Sequence, residues 1–67
     1  MIADDAELET TLERIRRFQL QLTHLRRVEK NSKNYRLSSL GFLAEVDRMQ
    51  AEVREYLSLL PAELAAV

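Results

Sequence analysis

A chain of 67 residues with no cysteine, a single histidine and a net charge of −1 excludes a disulfide framework and, because His24 stands alone, a protein-built zinc site. At this length folding buries only about 60% of the surface exposed by the unfolded chain. With disulfides and metals closed, oligomerisation is the remaining route to a stable core. No apolar run approaches the roughly 20 residues of a membrane span. Met1-Ile2-Ala3-Asp4-Asp5 carries acid where a signal peptide carries base. A soluble, cytoplasmic chain with no cofactor and no membrane partner is expected.

Charge is distributed in blocks. Residues 1–13 hold five acids and no base, residues 14–36 hold eight bases against Glu29, and residues 37–67 hold five acids against Arg48 and Arg54.

The first helix is expected from about residue 4 to residue 30. Asp4 and Glu7 have capping-box spacing, and Glu7 and Glu9 place negative charge at the positive end of the helix dipole. Arg26, Arg27 and Lys30 complement the other end, and no glycine or proline interrupts the stretch. Asn31-Ser32-Lys33-Asn34 reads as a turn, with Asn31 or Asn34 closing the helix in the left-handed conformation. A loop over 31–37 follows. Ser38 then caps a second helix over 38–60, with Leu37 and Phe42 spaced as a hydrophobic staple. Gly41 falls in its first turn, either merely tolerated there or permitting a close contact. Pro61 ends the helix and opens a tail over 61–67, in which Pro61-Ala62-Glu63-Leu64 can form a short extra turn.

Two apolar stripes step by threes and fours: Leu8, Leu12, Ile15, Gln19 and Leu22, and Leu43, Val46, Gln50, Val53, Leu57 and Leu60. Folded back antiparallel, Leu8 faces Leu60, Ile15 faces Val53 and Leu22 faces Val46, while Leu12 faces Leu57, Gln19 faces Gln50 and Arg26 faces Leu43. The two glutamines then share a polar layer that disfavours wrong registers, or lie together at a wet edge. Phe42, Met49 and Tyr56 recur every seven residues beside this seam, and Phe18 and Leu25 widen the first stripe. Such breadth asks for more helices. The expected fold is all-α, a single antiparallel helical-hairpin domain over residues 1–67 that dimerises into a four-helix bundle. A second protein supplying the other helices is the competing explanation.

In the hairpin, Glu52, Glu55 and Glu63 join the acidic N-terminus at the open end, and Arg26, Arg27, Lys30, Lys33 and Arg36 gather at the loop end. Two hairpins turned end for end bring basic ends against acidic ones.

Catalytic constellations are missing from the sequence. His24 has no aspartate, glutamate or cysteine one helical turn away, so neither a general base pair nor a helical metal pair forms around it. Glu45, Asp47, Glu52 and Glu55 would bind a metal only with ligands from another chain. Ser38 and Ser39 read as cap residues and Ser58 as helix surface.

The expected function is therefore non-enzymatic: a small bacterial-type regulatory, adaptor or assembly module. Its homodimer or partner interface would comprise Phe18, Gln19, Leu22, Leu25, Phe42, Val46, Met49, Gln50, Val53 and Tyr56. Arg16, Arg17, Arg27, Lys30, Lys33 and Arg36 form a basic face for an acidic partner or nucleic acid, where Tyr35 could stack on a base. In plan the hairpin resembles the dimeric helical hairpins of the Rop type. That resemblance implies binding of paired RNA loops through the basic faces. An antitoxin-like chain that wraps a toxin is a further alternative.

Overall fold

The first helix begins where a carboxylate can occupy its exposed amide groups. The Asp4 side chain accepts the Glu7 amide hydrogen at 2.8 Å, and Glu7 reaches back to accept the Ala3 amide at 2.7 Å. The first bond satisfies a donor that the first turn leaves without an intrahelical partner, and the second ties down the residue ahead of the cap. The structure, a computed structural model, describes residues 1–60; α1 spans Asp5–Val28 and α2 spans Ser32–Leu57. They pack as an antiparallel hairpin with extents of 50 × 16 × 12 Å. The tail over 61–67, including the extra turn expected at Pro61, lies outside the described residues.

The connection is shorter than the sequence suggests. Glu29 closes α1, its amide donating to the Leu25 carbonyl at 2.9 Å, and the Glu29 carboxylate accepts the Asn31 amide at 3.0 Å. Asn31 is already the cap of α2, accepting the Asn34 amide at 3.1 Å through its side chain. Three residues with no positive φ among them make the turn, so neither Asn31 nor Asn34 adopts the left-handed closure. Ser38, expected as the cap, is an exposed residue within α2, and Leu37 is 64% exposed instead of forming a staple. The cause is local chemistry: Asn31 with Asn34 is a turn signal and equally a helix start, because an asparagine side chain accepts from the third residue after it.

This earlier start shifts the register. The Phe18 and Phe42 rings lie 5.6 Å apart at 58°, and the Tyr56 hydroxyl donates to Asp5 at 2.6 Å. Facing residue numbers therefore total 60 or 61, where the expected pairing required 68 or 69. The slip is one heptad, about 10.5 Å along the axis. Ile15 now clusters with Val46 and Met49, with Phe18 and Val53 packed against them.

The seam itself is a regular heptad on both helices. On α1 the buried and half-buried positions are Leu8, Thr11, Ile15, Phe18, Leu22 and Leu25; on α2 they are Tyr35, Ser39, Phe42, Val46, Met49, Val53 and Tyr56, with Glu52 half-buried beside that stripe. Alternating steps of three and four keep one stripe of each helix turned toward the other. Ile2, ahead of α1, is also only 4% exposed, in a small recess it shares with Tyr56 and Leu59 at the open end. Gly41 lies in the third turn of α2, and a Cβ built there would meet nothing within 4 Å, so it serves no close approach. The far end of α2 closes at Ser58, whose amide donates to the Arg54 carbonyl at 3.0 Å, slightly earlier than the expected end at Leu60.

Cap position is directly testable. Asn31→Ala should cost about 1 kcal/mol in urea unfolding at fixed protein concentration, whereas Ser38→Ala should change stability by no more than about 0.5 kcal/mol.

Candidate protein interface

The seam uses most of the residues expected at an intermolecular interface. Phe18, Leu22, Leu25, Phe42, Val46, Met49, Val53 and Tyr56 lie in the heptad stripes of the hairpin, buried or half-buried by its own two helices. Phe42, Met49 and Tyr56, expected beside the seam, are part of it. Gln19 and Gln50 are both exposed. Nor do they share a layer: in the slipped register Gln19 neighbours Leu43 and Gln50 neighbours Leu12 across the seam, within two residues of level, so the expected paired-amide layer does not form within the hairpin.

Two unlike flanks border the seam, and Leu20, Val28, Leu37 and Leu40 are exposed elsewhere on the two helices. At 100° per residue, and with the helices antiparallel, Leu12 and Gln19 of α1 project to the same side as Leu43, Gln50 and Leu57 of α2. Leu12 is 46%, Leu43 45% and Leu57 64% exposed. These were expected in the seam. They form instead a second apolar strip with two amides in it.

The opposite flank is charged. Arg48 donates to Glu52 at 2.9 Å and to Glu45 at 2.8 Å, and Arg17 donates to Glu13 at 2.8 Å. The Arg48 hydrogen bond and charge hold Glu45 below the ordinary carboxylate range, and the same contacts push the Arg48 guanidinium upward. A shallow cleft of about 500 Å³ on this side is lined by Asp4, Glu7, Arg14, Arg48 and Glu52 among others. Its acids and bases largely offset one another.

Arg16, Arg17, Arg27, Lys30, Lys33 and Arg36 are all exposed, as is His24. Glu29 and Tyr35, half-buried, lie beside them at the loop. Among the described residues no group of three or more histidines, cysteines, aspartates or glutamates is placed to hold a metal ion, and no helix is long and apolar enough to cross a membrane.

Burial within the hairpin is incomplete. Among the described residues no large side chain is fully buried, and the chain exposes 5536 Å². A compact monomer of 7.8 kDa is expected to expose about 4,400 Å². No protein family model matches the chain, and neither curated proteins nor solved structures show significant similarity to it.

The link between helix ends carries a pH signature. Its hydrogen bond to Asp5, aided by burial and the nearby carboxylates, pushes the Tyr56 phenol up from 10.0 to about 12. The folded state thus holds this proton more tightly than the unfolded state. The contribution is complete below pH 10 and is lost as pH rises from about 10 to about 12. In a Tyr35→Phe background, phenolate absorbance should titrate near 12 and fall toward 10 when Asp5→Ala is added.

Proposed function

We propose that this chain is a non-enzymatic protein-interaction module that works as a homodimer, two hairpins closing into a four-helix bundle over the Leu12, Leu43 and Leu57 flank. The exposed strip is the observation that carries the reading. A two-helix layer has one seam, and each leucine beyond it remains in water until another layer arrives. Burying such a side chain contributes about 1.5–3 kcal/mol, and the strip draws on both helices, with Leu12 from α1 and Leu43 and Leu57 from α2.

Gln19 and Gln50 within the strip support a helical partner in a defined register. An amide in an apolar seam has a second amide within its layer in some alignments and only leucines in others. In this reading the heptad seam builds each subunit, and the flank, with Gln19 and Gln50, builds the assembly.

A second reading, RNA binding by the basic faces, is favoured by the concentration of Arg16, Arg17, Arg27, Lys30, Lys33 and Arg36 toward one end of the hairpin. It ranks below self-association because the same chain carries a matching set of acids. An antitoxin-like role, with a toxin covering the flank in place of a second copy, has no separate observation behind it.

Sedimentation equilibrium tests the main reading. The wild-type chain should give a dimer mass at micromolar concentration. Leu43→Glu, at a position exposed in the hairpin, should keep its helical circular dichroism and raise the dimer dissociation constant by at least about 100-fold, since each dimer carries two copies of the change. A wild-type monomer at all concentrations would overturn it.

A further inference from the structure

Cut at the level of Ile15 and Val46, the hairpin divides into halves of opposite charge. The open half, residues 1–15 with 46–60, holds eight acids against Arg14, Arg48 and Arg54. The loop half, residues 16–45, holds seven bases against Glu29 and Glu45. Counting side chains alone, the halves carry −5 and +5 on a body 50 Å long. A separation of this size sets how two such bodies can lie side by side.

We propose that the two hairpins of the dimer lie end for end, related by a two-fold axis perpendicular to the helices, with Leu12 facing Gln19 of the partner subunit and Gln50 facing Leu43 of the partner subunit. The proposal rests on the self-association reading and gives it an orientation and a register. Side by side in the same direction, two loop halves of charge +5 would lie along one another, and two open halves of −5 likewise. End for end, each basic half lies along an acidic one.

The register follows from the flank. The Leu12 and Gln50 level and the Gln19 and Leu43 level are seven residues apart on each helix. A two-fold axis midway between them superposes each level on the other's counterpart. Two symmetric layers result, each of two leucines and two glutamines, and in each layer an amide has the partner's amide across the diagonal. The hairpins then overlap over nearly their whole length, displaced from flush helix ends by about 3 Å along α1 and about 6 Å along α2. Asp5 falls opposite Arg26 of the partner subunit, joining the negative end of one body to the positive end of the other. Arg16 also approaches Arg16 of the partner subunit beside the axis. It does so at the solvent edge, where long side chains splay and salt screens.

Because the chain has no cysteine, the arrangement can be read from introduced ones. In Leu12→Cys/Gln19→Cys the two thiols of one chain sit about 10.5 Å apart along α1, beyond the roughly 7 Å Cα limit of a disulfide. Oxidation should therefore give a covalent dimer whose bridges, mapped by peptide mass spectrometry, join position 12 to position 19. Independently, spin labels on Lys33→Cys should lie about 35–40 Å apart in the dimer, against less than about 20 Å if the loops share an end. A sedimentation monomer would sink the self-association reading as a whole. A dimer with a short label distance would sink the orientation alone. A long distance without the bridge from position 12 to position 19 would sink the register.

Discussion

The Asn31 side chain, by accepting the Asn34 amide hydrogen at 3.1 Å, sets where α2 begins and so which residue faces which along the whole hairpin. Both seams repeat every seven residues. Sliding one helix past the other by a heptad therefore trades Val53 for Val46 opposite Ile15, and the exchange is nearly neutral in apolar packing. A seam of this kind does not choose its own register. The choice falls to the turn: Glu29 accepting from Asn31, and Asn31 from Asn34, allow only three residues between the helices.

The two flanks follow from that choice. With Ile15 level with Val46, Leu12 comes within one residue of level with Gln50 and Gln19 with Leu43, all on one side. The arginines and glutamates that bond within each helix, Arg48 with Glu45 and Glu52 and Arg17 with Glu13, occupy the other side. Exposed pairs of this kind contribute little to stability. Their effect is to make one flank well solvated, in contrast to the leucine flank opposite.

The hairpin plan and the start of α1 were legible in the sequence because each rests on redundant signals: an acid at the cap, a carboxylate three residues on, and more than twenty residues free of glycine and proline. The start of α2 was not. Asn31 and Ser38 both have cap chemistry, and seven residues separate them, the period of the seam, so the apolar pattern fits either start. The same ambiguity put Leu12, Gln19, Leu43, Gln50 and Leu57 into the seam. Each helix carries apolar residues on two adjoining faces, and periodicity alone does not say which face meets its own partner helix. Ile2 was invisible for another reason: it precedes α1, so no helical period reports on it, yet it is 4% exposed.

The short turn also orders the events of folding. Phe18 and Phe42 are separated by 24 residues of chain, whereas Tyr56 and Asp5 are separated by 51. The entropy lost in closing a loop grows with its length, and contacts made near the turn shorten the loop that the next ones must close. Loop-closure entropy therefore favours zipping from Asn31 outward, with the acidic open end, where Tyr56 ties down Asp5 and Ile2 is covered, the costliest part to close directly.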